Sequence, residues 1–225
     1  MKLKVWSDFS CPFCYIGHAH LDEALRQYPK KDQVELEFCS YQVDRRAKYD
    51  PNQSFKQYMI KAKPHLREEA VLDMLRQLEE TAQEYDIPFD MDTIKVANTL
   101  HAHRVYHEAK LQGLGEKCFT RFQHAFFGEG AILSDLDTIC KLATEVGLSE
   151  EKVRQIWDDT NLHSEAIKKE IDKLDRVGAQ GVPFFIFEDK FSLAGTQAPD
   201  KLLKYFDVVA KKVALREKIQ AKLKK

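Results

Sequence analysis

Cys11 and Cys14 are the two residues of this 225-residue chain whose types and spacing most directly do chemistry. They bracket Pro12 and Phe13, just after an apolar run, Leu3-Lys4-Val5-Trp6, and just before a helical pattern from Tyr15 to Arg26. Two thiols three residues apart at a strand-to-helix junction support thiol–disulfide exchange. A thiol at a helix N-terminus faces unpaired backbone N–H groups and the positive end of the helix dipole, both of which favour the thiolate. Cys11 is therefore the expected nucleophile. Cys14, one turn on and on the same face, is placed to attack a mixed disulfide formed at Cys11. Pro12 and Phe13 form the dipeptide that tunes the pair. Asp8, just ahead of the helix, reads as a helix cap or as a proton shuttle for Cys14, with capping the plainer role.

The competing chemistry is a metal site. Zinc usually takes four ligands, and His18, four residues after Cys14, brings the count to three with no second CxxC to complete it. His103 and His107 have the i, i+4 spacing of a metal pair, but no motif accompanies them. No metal is expected, and no cofactor beyond a redox-active Cys11–Cys14 disulfide. Cys39, Cys118 and Cys140 are far apart in apolar surroundings and read as small buried hydrophobes.

The elements that must hold the pair follow from the periodicity. Residues 2–7 alternate as a strand, with Leu3 and Val5 on one face and Lys2, Lys4 and Trp6 on the other. A helix follows to about Tyr28, closed by Pro29, and a second strand covers 34–41. One helix between two strands makes them parallel. From about residue 50 the strand signals stop. Helical patterns occupy 53–63, 66–85, 92–112, 115–128, 135–147, 149–158 and 161–178. Strands return at 183–188 and 191–194 as a hairpin, and a last amphipathic helix begins at Pro199 and ends in a basic stretch, Lys218 to Lys225. The expected fold class is α/β: a thioredoxin-like β-α-β … β-β-α order with a large all-helical insertion. Residues 1–50 and 179–225 are expected to form one discontinuous domain and 51–178 the inserted one.

Gly181-Val182-Pro183 opens the third strand. A proline cannot donate to a ladder, so it belongs at a strand start or an edge. With the CxxC, this stretch carries a resemblance. Ser7-Asp8-Phe9-Ser10-Cys11-Pro12-Phe13-Cys14-Tyr15-Ile16-Gly17, Asn98-Thr99-Leu100-His101-Ala102-His103-Arg104, Gly181-Val182-Pro183-Phe184-Phe185 and Gly195-Thr196-Gln197 resemble the DsbA-like thioredoxin superfamily, most closely its FrnE-type branch. That resemblance spans nearly the whole chain. It implies a thioredoxin fold with a helical insertion, a cis-Pro183 beside Cys11, and thiol–disulfide exchange on protein substrates.

A neighbouring branch holds glutathione-dependent 2-hydroxychromene-2-carboxylate isomerases and kappa-class glutathione transferases. It typically carries serine where this chain has Cys11 and lacks the second thiol, so this alternative fits less well. On the resemblance, Val182, Pro183 and Phe13 are expected to meet substrate, joined by Asn98 and His103 from the insertion. Asn98, Ala102 and Val105 share one face of the helix expected there, and Arg104 beside them suits a carboxylate. His101 and His107 read as surface residues.

Composition bounds the partners. A hydrophobic content of 44% supports a sizeable core, and a formal net charge of −1 gives no global pull toward nucleic acid or an anionic membrane. No apolar run approaches the ~18 residues of a membrane span. Lys4 and Asp8 interrupt any secretory h-region, so a cytoplasmic location is expected. The expected partners are protein thiols and disulfides, or small thiols such as glutathione acting as co-substrate. The oligomeric state stays open, a homodimer included.

Overall fold

Strand β1 (Lys2–Ser7) lies inside the sheet because both of its neighbours come to it, one from each end of the chain. The computed structural model describes residues 1–223, so Lys224 and Lys225 of the basic C-terminal stretch lie outside the described residues. β2 (Glu35–Ser40) pairs parallel to β1, with Val5 opposite Phe38 and Ser7 opposite Ser40. β3 (Phe184–Phe187) pairs antiparallel on the other side, with Val5 opposite Phe185. β4 (Phe191–Ala194) follows as a hairpin, giving the order β2-β1-β3-β4. Helix α1 (Pro12–Gln27) makes the crossover between the parallel strands. This is a thioredoxin-like arrangement, rich in helix.

Seven helices stand between β2 and β3: α2 (Phe55–Ala62), α3 (Glu68–Glu84), α4 (Leu100–Leu111), α5 (Gly115–Gly128), α6 (Leu136–Val146), α7 (Glu150–Asp158) and α8 (Ser164–Arg176). α9 (Pro199–Leu223) closes the chain. Their ends follow local chemistry. Ser54 and Gln57 form a reciprocal capping box on α2, Asp135 caps α6, and Ser149 caps α7. Gly147 ends α6 at φ 111°, a conformation that costs a residue with a side chain dearly.

Leu3, Val5, Phe38, Phe185 and Phe187 of the sheet share one continuous core with Ile16 and Leu21 of α1, Phe119, Phe122 and Phe126 of α5, and Phe206 of α9. The inserted helices thus bury their apolar stripes against the sheet as well as each other.

Two expectations change. Trp6, grouped with the lysines on the open face of β1, is fully buried. α8 lies over that face, so Trp6 packs with Cys39, Leu174, Phe184 and Ile186 and donates its indole N–H to the Glu170 carbonyl at 2.8 Å. The helix expected over 92–112 begins only at Leu100. Asp90 and Asn98 hold the preceding stretch in turns instead: Asp90 Oδ1 accepts from the Asp92 N–H and Asn98 Oδ1 from the Leu100 N–H. Short polar side chains that bond nearby backbone compete in this way with helix.

The outer edge of β2 is closed. The Tyr106 hydroxyl donates to the Phe38 carbonyl and the Ser40 N–H donates to the Glu170 carboxylate, so α4 and α8 occupy groups that a further strand would use.

Candidate active site

Cys11 is itself the N-cap of α1, in extended conformation (φ −87°, ψ 110°), with Pro12 as the first helical residue. Its sulfur accepts the Cys14 backbone N–H at 3.3 Å, which places the sulfur against the free donors of the first turn. Asp8 therefore does not cap the helix, contrary to the plainer expectation, because the cap position falls three residues later. Cys11 is 6% exposed and Cys14 wholly buried, and both are free thiols. Burial pushes the Cys14 thiol well above its ordinary value, and the neighbouring Cys11 sulfur adds to this, while the Ser7 hydroxyl and the Asp8 backbone N–H act in the opposite sense. Cys14 is thus held as a protonated thiol at ordinary pH.

The third-strand turn lies against the same sulfur. The Val182–Pro183 peptide bond is cis, and the Val182 carbonyl oxygen is 3.8 Å from Cys11 Sγ. Pro183 is buried, and its ring packs on α1 at Gly17, where an added Cβ would sit 3.0 Å from Pro183 Cγ. Close approach of strand turn and helix therefore requires the glycine. Thr196 Oγ1 donates to the Phe13 carbonyl at 2.7 Å, tying the turn after β4 to the CxxC dipeptide. Phe13 is half-buried, with the Lys63 ammonium 5.3 Å from its ring centroid.

Beneath the pair runs a buried polar chain. Asp8 Oδ1 accepts from His103 Nε2 at 3.3 Å, and Oδ2 accepts from the Val43 N–H at 2.7 Å and from Ser10 Oγ at 3.2 Å. Burial opposes the Asp8 carboxylate, but the His103 contact and the Val43 N–H outweigh it and hold the group below the usual carboxylate range. Gln123 Nε2 donates to the Asp8 carbonyl at 3.4 Å, which orients the amide so that its oxygen receives His18 Nδ1–H at 2.7 Å. His18 is depressed to about 4 by burial, so it is neutral at ordinary pH. Committed to Gln123 and enclosed by Phe38 and Phe119, His18 is a core residue rather than a third ligand beside the cysteines.

The insertion residues fall differently from expectation. His103 is 0% exposed and spends its Nε2 on Asp8, so it lines no open groove. Asn98 precedes α4 instead of facing inward along it. It bridges to the 41–48 loop, donating to the Arg45 carbonyl at 2.9 Å and accepting from Gln42 Nε2 at 3.3 Å. Arg104, expected to suit a carboxylate, is 1% exposed and donates to the carbonyls of Ile156, Asp159 and Leu162 at the end of α7. His107, read as a surface residue, is buried with its Nε2 3.1 Å from Ser40 Oγ and 3.2 Å from Glu170 Oε2. His101 stacks on Trp157 at 3.9 Å. His103, Arg104 and His107 turn inward because α4 is covered by α5, α7 and α8 as well as by the sheet edge.

Sequence reasoning missed Gln123 and Thr196 as site residues. Gln123 had a signal: a lone amide within the otherwise aromatic run Phe119, Phe122, Phe126 and Phe127 of a buried helix. Val43 contributes only its N–H, for which a sequence carries no mark.

Residues 2–207 match the DSBA-like thioredoxin domain family model. Among curated proteins, the uncharacterised YwbO of Bacillus subtilis is 27% identical over 196 residues, covering 84% of this chain and 88% of that one. A probable DsbA oxidoreductase from Streptomyces coelicolor superposes with a TM-score of 0.83 at 26% identity, covering 91% of this chain and 88% of that one. The cytosolic disulfide reductase DsbM of Pseudomonas aeruginosa, solved with glutathione, shares the fold at a TM-score of 0.63 and 18% identity, over 94% of this chain and 100% of that one. No helix among the described residues is long and apolar enough to cross a membrane.

Proposed function

The chain belongs to the DSBA-like thioredoxin domain family, and on that premise we propose that it is a thiol–disulfide oxidoreductase acting on protein dithiols and disulfides through Cys11 and Cys14. The observation that carries this reading is the asymmetry of the pair. Cys11 caps the helix beside the Val182 carbonyl, while Cys14 is sealed one turn below it as a thiol.

Starting from the dithiol, the Cys11 thiolate attacks one sulfur of a substrate disulfide. The Cys11–substrate S–S bond forms as the substrate S–S bond breaks, and the displaced sulfur leaves as a thiolate that takes a proton from water. Cys14 then attacks the Cys11 sulfur. The Cys11–Cys14 bond forms, the second substrate sulfur departs, and the proton that Cys14 gives up neutralises it. The substrate gains two electrons and the protein loses two; run backwards, the same steps install a disulfide.

In this reading Val182, Pro183 and Phe13 meet the substrate, and Pro12 shapes the first turn. Asp8 tunes the site through its backbone: its N–H faces the Cys14 sulfur and its carbonyl accepts the Cys11 N–H at 3.3 Å. The Asp8 carboxylate, His103 and Asn98 position that turn without touching substrate. Two glutathione thiols reset the pair: one attacks Cys11 as the Cys11–Cys14 bond breaks, and the second releases it as glutathione disulfide, a role supported by the fold shared with a glutathione-bound reductase. The cytoplasm is the compartment proposed, consistent with Cys39, Cys118 and Cys140 being buried and unpaired.

A glutathione-dependent isomerase would leave Cys14 without a task, and one assay separates the two. Reduction of insulin disulfides by the wild type should disappear in Cys11→Ser. Equal turnover by both proteins rejects the proposal.

A further inference from the structure

The chain as a whole carries a net charge of −1, but the charge is not evenly spread. Residues 41–67 hold seven lysines and arginines against two aspartates, a net +5, which leaves −6 on the remainder. This segment is pinned to the active-site turn at both ends. The Val43 N–H donates to Asp8 Oδ2 at 2.7 Å, and Lys63 stands 5.3 Å from the Phe13 ring centroid. Between them, the Tyr58 hydroxyl donates to Asp44 at 3.1 Å, folding the loop onto α2.

Its acids are spent locally: Asp44 also accepts from the Arg46 N–H and Asp50 from the Asn52 N–H. Its cations are not. Lys56 alone is ion-paired among the described residues, with Asp92 at 2.9 Å. Arg45, Arg46, Lys48 and Lys61 are exposed, and Lys63 is half-buried. The segment therefore presents an unbalanced positive field beside the one sulfur that meets substrate.

We infer that this segment selects protein substrates whose reactive cysteine lies within acidic sequence, by steering their approach to Cys11 and holding the flanking carboxylates in the mixed disulfide. The inference rests on the oxidoreductase reading above and adds a substrate class to it. Opposite charges at docking distance raise association rates, and the gain is lost once the Debye length falls below their separation.

Three peptide disulfides of identical core, flanked by Glu, Ser or Lys, test it in single-turnover reduction by the reduced full chain, read as the second-order rate of mixed-disulfide formation. At roughly 20 mM ionic strength the acidic peptide should react about tenfold faster than the basic one, and at roughly 0.5 M the two should come within about twofold. The triple variant Arg45→Glu, Lys48→Glu, Lys63→Glu should reverse the order. Lys168→Glu with Lys169→Glu, exposed on α8, should leave it as in the wild type. Equal rates for acidic and basic peptides, or a preference that survives the triple variant or high salt, overturn the inference while leaving the oxidoreductase reading standing. Failure of all three peptides, Ser-flanked included, overturns that reading instead.

Discussion

Asp8 and His103 meet in the interior, Oδ1 to Nε2 at 3.3 Å, with neither side chain exposed to solvent. Ninety-five residues separate them, so this contact joins the first active-site turn to the inserted helices. A buried carboxylate held this way fixes backbone, because each lone pair it loses leaves a partner unsatisfied.

Replacing Asp8 by Asn keeps the shape and one acceptor but removes the charge. Asp8→Asn should lower stability by about 2 kcal/mol, measured by urea unfolding at pH 7. It should also slow exchange several-fold at unchanged Cys11 labelling, because the backbone that orients both sulfurs is loosened. The native carboxylate titrates below its unfolded value, so its stabilisation is present above the unfolded pKa and is lost as pH falls through the folded one. The stability gap between wild type and Asp8→Asn should accordingly close in acid. A gap that is constant with pH contradicts this role.

Cys14 is protonated and sealed, so the two thiols should differ in reactivity. In the reduced protein, iodoacetamide at pH 8 should modify Cys11 alone, as read by peptide mass spectrometry. Cys14→Ser should accumulate a mixed disulfide with substrate that the wild type resolves. Labelling of Cys14 at a rate equal to Cys11 would mean that the two sulfurs are not divided into attacking and resolving roles.

His18 is neutral in the fold, with its pKa at about 4 against an unfolded value of about 6.5. The unfolded chain thus binds the extra proton first. Stability present above the unfolded pKa should fall as pH drops from about 6.5 to about 4, by on the order of 3 kcal/mol from this residue. His18→Gln, which cannot titrate and still offers Gln123 an amide, should flatten that part of the pH–stability curve. An unchanged slope excludes His18 as its source.

Gly17→Ala sets two effects against each other. Alanine favours a helix interior by about 1 kcal/mol, but its Cβ would press on Pro183 at 3.0 Å, and that ring is buried at the start of β3. Relief requires the Val182–Pro183 turn to retreat from α1 and from Cys11. Stability should change by less than about 1 kcal/mol while the exchange rate falls about tenfold. A variant as active as the wild type would show that the spacing between turn and helix is not critical.

Arg104 spans three carbonyls at the end of α7, so its removal strands buried acceptors. Arg104→Ala should cost about 3 kcal/mol, and Arg104→Lys nearly as much, since an ammonium cannot reproduce the fork. Folded Arg104→Lys should retain wild-type affinity for glutathione and peptides by calorimetry. A loss of affinity without a loss of stability would instead make Arg104 a ligand.

The core of the site was legible because its signals are local. The strand before Cys11, the helix after it and Pro183 at a strand start each rest on neighbouring residues, and β1, α1 and the final hairpin fall where their periodicity puts them. What could not be read depends on tertiary cover. Arg104, His103 and His107 have side chains that favour water, and only the packing of α4 between α5, α8 and the sheet edge turns them inward. Trp6 shares a strand face with Lys2 and Lys4 and is buried for the same reason, by α8, which arrives more than 150 residues later. The periodicity of residues 92–112 puts Asn98 on a helix, yet its own carboxamide bonds the Leu100 N–H and delays the helix start.

The Cys11 sulfur and the Val182 carbonyl that faces it are 171 residues apart. At the usual pace of translation, the ribosome delivers the nucleophile on the order of ten to thirty seconds before the turn that will face it. Through that interval the Cys11 sulfur lacks the carbonyl that faces it in the finished fold, while α1 and the seven inserted helices are all made ahead of β3. The facing of Cys11 by the Val182 carbonyl is thus a late feature of the fold, set when β3 pairs with β1, and a chain truncated before Val182 would keep both sulfurs without it.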